Sequence, residues 1–258
     1  MKTIFEKQPL GYLLILFLAV ISCNKNNKET PPDYTKSKIE TTKGNFHIEF
    51  LNRITDEEVE NGQNGFKELE LNAEPGITLD YYDFEKIVNI DKKKYAKFFF
   101  LLDNNKFLNL GLAMSDNENL DYENDILYVQ SGGRFVLKSG EFENQKKEFD
   151  AFKSVLVDTV SKNDPCDMIL YKVDDINNYL KVTKAIEGFT GYKILSLQFD
   201  YIRFKDFTRK DGTKIDYLRN RESRVSFAVK TNFDKGTTRA SLPNDIVDFY
   251  YDAGDLKP

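Results

Sequence analysis

The chain has 258 residues and a mass of 30.0 kDa. It is 40% hydrophobic, 31% charged and 14% aromatic, with Lys+Arg 37 against Asp+Glu 42. These proportions exclude collagen, a polytopic membrane protein, a disulfide scaffold and a wholly disordered chain.

The first element is a targeting segment. Lys2 and Lys7 give a weakly positive start, diluted by Glu6, and Leu10 to Ile21 form an apolar run broken only by Gly11 and Tyr12. Twelve helical residues span roughly 18 Å, short of the ~30 Å hydrocarbon core, so the run reads as a cleavable signal rather than a permanent span. Val20-Ile21-Ser22-Cys23 at its end resembles a bacterial lipobox: two aliphatic positions, a small residue and a cysteine. The resemblance implies cleavage before Cys23, palmitate-class acyl chains on its sulfur and acylation of its new amino group. One chain anchors marginally and two or three anchor stably. An ordinary signal peptide with a chance cysteine is the alternative. Asn24 stands where an aspartate would imply inner-membrane retention, so outer-membrane sorting is expected. Asn24-Lys25-Asn26-Asn27-Lys28 has no acidic cluster of the kind that accompanies surface export, which favours the periplasmic face.

Cleavage at that point leaves 236 residues with 35 basic and 41 acidic side chains, a net charge near −6. Such a chain can bury ~70–75% of its unfolded surface. Once Cys23 is lipidated, Cys166 has no partner in the chain, which points to a buried thiol or to an intermolecular contact. Residues 23–38, with Pro31-Pro32 and no aliphatic side chain, read as a disordered tether, and 39–258 as one globular domain, the alternative being a division into two subdomains near residue 164.

In the folded part, Phe46, Ile48 and Phe50 alternate with His47 and Glu49, a half-buried strand. Tyr95–Leu102 and Phe107–Met114 flank Asp103-Asn104-Asn105-Lys106, and Ile126–Gln130 and Arg134–Lys138 flank Ser131-Gly132-Gly133: two hairpins. A long helix follows, with Phe142, Phe149, Phe152, Leu156 and Val160 on one stripe and Glu143, Lys146, Lys147 and Glu148 on the exposed side, ended by Pro165. A shorter helix is expected over Asp175–Glu187, capped by Asp174, with Ile176, Tyr179, Leu180 and Ile186 inward and Gly188 as its stop. Leu195, Leu197, Phe199 and Tyr201 then alternate. A shift of phase at Ile202 and Phe204 predicts a bulge there. Lys210-Asp211-Gly212 is a turn signal, and Val225, Phe227 and Val229 mark another strand. Without βαβ alternation or an internal repeat, the fold class is α+β: a largely antiparallel sheet with one long central helix and a second, shorter one.

The chemistry is read mainly by exclusion. A single histidine, His47, excludes sites that need two, including the usual zinc hydrolase patterns. There is no G-x-S-x-G elbow, no Walker A sequence and no G-x-G-x-x-G, and Cys166 lies in Asp-Pro-Cys-Asp, where carboxylates oppose a thiolate. No catalytic residue, metal ligand or cofactor is assigned. Asp116, Glu118, Asp121, Glu123 and Asp125 crowd one loop. An EF-hand starting at Asp121 puts Ile126 at the glycine position and Gly132 at the bidentate-glutamate position, so a solvated loop is the better reading. Absence of tryptophan weighs against a sugar-stacking platform, with Tyr81 and Tyr82 as substitutes.

One feature stands out. Between Tyr201 and Ala240 eleven basic residues face five acids, about +6 net, leaving about −12 for the rest of the mature chain. Such separation steers an anionic partner over a Debye length of ~8–10 Å. Arg219, Arg221 and Arg224 are the candidate binding residues, against the plainer reading that these cations alternate onto a solvated face. The expectation is an envelope lipoprotein with a noncatalytic binding or scaffolding role, such as an accessory subunit of a secretion, motility or assembly system. Its partners are the membrane, through Cys23, and an envelope protein; nucleic acid is not expected. Alternatives are a periplasmic immunity protein against a toxin and a carboxylate-dependent hydrolase of envelope glycan. A two-lobed solute binder is disfavoured by the lack of α/β alternation.

Overall fold

A computed structural model describes residues 52–90, 92–160, 168–203, 212, 224–234, 250–252 and 255–257. In chain order the elements are β1 (Asn52–Ile54), α1 (Asp56–Lys67), β2 (Gly76–Asp80), α2 (Tyr81–Asn89), β3 (Tyr95–Leu102), β4 (Leu108–Ser115), β5 (Ile126–Ser131) and β6 (Arg134–Leu137). Then come α3 (Ser139–Val160), β7 (Met168–Lys172), α4 (Val173–Thr190), β8 (Lys193–Arg203), β9 (Val225–Asp234), β10 (Tyr250–Asp252) and β11 (Asp255–Lys257). The class is α+β. A five-stranded sheet runs β1-β10-β9-β8-β2 and a six-stranded sheet runs β11-β7-β3-β4-β5-β6. Every pairing is antiparallel. Strands from before and after residues 161–167 share a sheet, because β7 pairs with β3. Among the described residues no helix is long and apolar enough to cross a membrane.

The two sheets meet through aromatic rings. Period-two alternation sends Phe98, Phe100 and Leu102 of β3 to one face, where they meet Leu197, Phe199 and Tyr201 of β8 and Phe227 of β9. Phe98 lies 5.2 Å from Phe227 and 5.8 Å from Phe199 between ring centroids, and Phe100 lies 5.8 Å from Tyr201. The opposite face of β3 is apolar as well: Phe99 and Leu101 join Ala113, Leu127, Val129 and Leu170, and Phe142 of α3 packs on them. Two buried faces explain why β3 is apolar throughout except at Lys97. α2 and α4 touch each other and strands of both sheets. Tyr81 Oη donates to Leu180 O at 2.8 Å, and Tyr179 Oη and Thr231 Oγ1 lie 2.7 Å apart.

Both expected hairpins are present. In the first, Asp103 Oδ1 accepts from the backbone N–H groups of Asn105 and Phe107, each at 2.8 Å. In the second, Ser131 pairs with Arg134, and Gly132 (φ 57°) and Gly133 (φ 76°) take the left-handed turn positions. Both expected helices are present too, with shifted ends. α4 starts at Val173 without a side-chain cap, so Asp174 lies inside it. Its stop is Gly191 (φ 73°), not Gly188. The apolar stripe of α3 holds at Phe142, Phe149 and Phe152; the side chains of Leu156 and Val160 lie outside the described residues.

Three local expectations are corrected. Lys146 is buried, because it stands four residues after Phe142 and three before Phe149 on the apolar stripe itself. Its stem crosses the stripe, its ammonium sits 5.8 Å from the Phe99 ring centroid, and it pairs with Asp150. The register shift in β8 falls between Ile194 and Ser196, not at Ile202. Ile194 therefore takes the buried position, while Leu195 is 55% exposed. Ile202 keeps its phase and pairs with Ser226. It is apolar because that end of β8 is buried on both faces and α1 packs against the strand.

Two short helices escape the apolar periodicity. α1 contains Gly62 and Gly65 and few apolar residues, but a capping box starts it: Glu58 N–H donates to Thr55 Oγ1 (3.2 Å) and Thr55 N–H to Glu58 Oε2 (2.8 Å). α2 is capped by Asp80, whose Oδ1 accepts from Asp83 N–H at 2.8 Å.

Candidate functional site

Of the residues singled out from sequence, Cys23, His47, Cys166, Arg219 and Arg221 lie outside the described residues. Arg224 is described. It is half-buried and directly precedes Val225, the register partner of Arg203. Arg203 and Arg224 therefore stand at one end of the β8–β9 hairpin. Residues 204–223, which join them, carry Lys205, Arg209, Lys210, Lys214, Arg219 and Arg221 against Asp206, Asp211, Asp216 and Glu222.

Arg203 is not part of a solvated cationic surface. It is 7% exposed, and its guanidinium donates to Gly65 O at 3.4 Å near the carbonyl end of α1. Burial pulls it below the ordinary arginine value. A cation at a helix C-terminus offsets the dipole of the last carbonyls, so Arg203 ties β8 to α1. Lys230, on the other strand, is half-buried across from Gln198. On the face that carries Gln198, a polar row runs along β8 and β9. Asn232 Nδ2 donates to Ser196 Oγ (3.1 Å) and to Gln198 Oε1 (3.4 Å), and Gln198 Nε2 donates to Asp200 Oδ1 (2.8 Å). Asp200 and Ser226, both 2% exposed, end this row. Asp200 Oδ2 and Ser226 Oγ are buried, and among the described residues neither has a hydrogen-bond partner.

The acidic loop differs most from its expectation. It is not simply solvated. Asp125 is 9% exposed and forms a buried ion pair with Lys97, Oδ2 to Nζ at 2.6 Å. Lys97 is fully buried in the apolar run of β3, and its ammonium also donates to Asn119 O at 2.5 Å. Burial lowers its pKa, opposed by the bond to Asp125. Asp121 arranges the loop: Oδ1 accepts from the N–H groups of Glu123 (3.0 Å) and Asn124 (3.3 Å), and Oδ2 from Asn124 Nδ2 (2.8 Å). These bonds hold its carboxyl below the usual aspartate range. Asp116 pairs outward with Lys93 at 2.9 Å. The carboxylates are thus directed to an amine and to backbone N–H groups, and among the described residues no group of three or more Asp, Glu, His or Cys is arranged to hold a metal ion. The only trace of this pair in the sequence is one lysine interrupting an otherwise apolar strand.

The two tyrosines considered as stacking platforms part company. Tyr81 is buried and bonded to Leu180, so it presents no ring to solvent. Tyr82 is 49% exposed, with Lys184 Nζ 6.0 Å from its ring centroid and its hydroxyl 3.5 Å from Glu187. No protein-family model matches this chain, and neither does any curated protein or solved structure.

Proposed function

We propose that the chain is an envelope lipoprotein, anchored through acyl chains on Cys23 in the outer membrane and facing the periplasm, with a noncatalytic binding or scaffolding role. The observation that carries this reading is the Leu10–Ile21 run ending in Val20-Ile21-Ser22-Cys23, followed by a polar tether. The partner it favours is an envelope protein with an anionic face, met by the basic residues that follow β8, with Arg219, Arg221 and Arg224 as the contact residues. The surplus of charge in that stretch, set against an acidic remainder, supports the choice.

Two measurements test it. Mass spectrometry of the exported polypeptide should find a new N-terminus at Cys23 carrying fatty acyl chains; a free thiol there, or release into the culture fluid, overturns the anchor. Affinity capture from membranes of the native host, with Arg219, Arg221 and Arg224 all changed to Glu, should lose the partner that the unaltered protein retains. Equal capture by both would remove the basic surface from the account. Product release from envelope glycan by the purified chain would favour the hydrolase alternative instead.

A further inference from the structure

We infer that residues 116–125, between β4 and β5, form a strap over the outer face of the six-stranded sheet, with the Lys97 ammonium as its catch, and that the strap opens by local unfolding while the sandwich stays folded. Lys97 shares its face with Phe99, Leu101, Ala113, Leu127 and Leu170, an apolar set that offers an ammonium nothing. Its two acceptors, Asn119 O and Asp125 Oδ2, both belong to the strap. The strap is also tied within itself. Asp125 N–H donates to Asp121 O at 2.8 Å, Asp121 N–H donates to Asp125 Oδ2 at 3.0 Å, and the Asp121 carboxylate gathers Glu123 and Asn124. Leu120 lays its side chain on the apolar face beneath.

The energetics make this closure reversible. A buried ion pair gives back in desolvation much of what it gains in Coulomb attraction. Lifting rehydrates both Lys97 and Asp125 at once, which offsets the loss of their bond. A strap held this way opens below the free energy of global unfolding. Its opening brings the Lys97 amine and the apolar strip beneath Leu120 to solvent, while the rest of that face stays under α3.

Hydrogen exchange on the full chain tests the device. In Lys97→Met, which keeps the volume and removes the catch, the Asp121, Glu123, Asn124 and Asp125 amides should lose protection by about tenfold or more while those of β3 and β4 hold. Unchanged strap amides would overturn the inference, as would equal loss across β3 and β4. The unaltered protein supplies an independent readout. An amine-reactive reagent should modify Lys97 under native conditions faster than the protein globally unfolds; modification only at the global unfolding rate would overturn the strap.

Discussion

Two glycines show how a single atom changes sign with its surroundings. A Cβ at Gly65 would stand 2.2 Å from the carbonyl oxygen of Arg203, a backbone atom that cannot turn aside. Gly65→Ala should push α1 off β8 and cost about 1–3 kcal/mol in chemical denaturation. Gly188 lies inside α4, and beyond its own helical backbone and chain neighbours no atom of the described residues comes within 4 Å of its Cβ position. Gly188→Ala should therefore gain about 0.5–1 kcal/mol in the same assay. The buried tyrosines set an alkaline limit. Burial raises Tyr81 and Tyr201 and pushes Tyr179 up to about 12. A phenol whose folded pKa exceeds its unfolded value near 10 contributes stability that is complete below 10 and is lost as pH rises above it. Followed by tyrosinate absorbance, these three should ionise with unfolding rather than before it. A smooth titration of all tyrosines on a folded chain would refute that.

Among the elements, α1 depends most on its first turn. It has few apolar residues and two glycines, so the Thr55–Glu58 capping box is a large share of its local support. Thr55→Ala should cost about 1 kcal/mol by thermal denaturation, with Thr55→Ser retaining most of the stability. That box is readable in the sequence, whereas the helix behind it is not, because its burial comes from close approach to β8 rather than from an apolar stripe. The reverse holds for α3, whose Phe142, Phe149 and Phe152 announce the helix, yet whose Lys146 is buried on the same stripe. Periodicity counts an ammonium as polar, while the structure uses the stem that carries it. For β8, alternation places Leu197, Phe199 and Tyr201 correctly. It misplaces Leu195, because a register shift inverts the phase of everything before it.

For the molecule as a whole, Phe98 is the joint between the sheets. Its ring lies within 6.3 Å of Phe84, Phe135, Tyr171, Phe199 and Phe227, which come from α2, β6, β7, β8 and β9. Phe98→Ala should cost about 3–5 kcal/mol and lower the denaturation midpoint without changing which strands pair, measured by urea unfolding and backbone amide exchange. A loss below about 1 kcal/mol would mean that the sheets are held elsewhere. The sequence alone determines the mixed α+β class, the two hairpins and the two long helices, because alternation, turn residues and helical stripes are local. It likewise carries the lipobox-like segment and the skew of basic charge toward the C-terminal third. Only the tertiary structure decides that strands from both halves of the chain build two facing sheets, that Arg203 is spent on α1, and that Lys97 meets Asp125 across 28 residues. A strand pattern records which face is apolar, but pairing and the closing of loops over a face depend on contacts between distant residues, which no local period encodes.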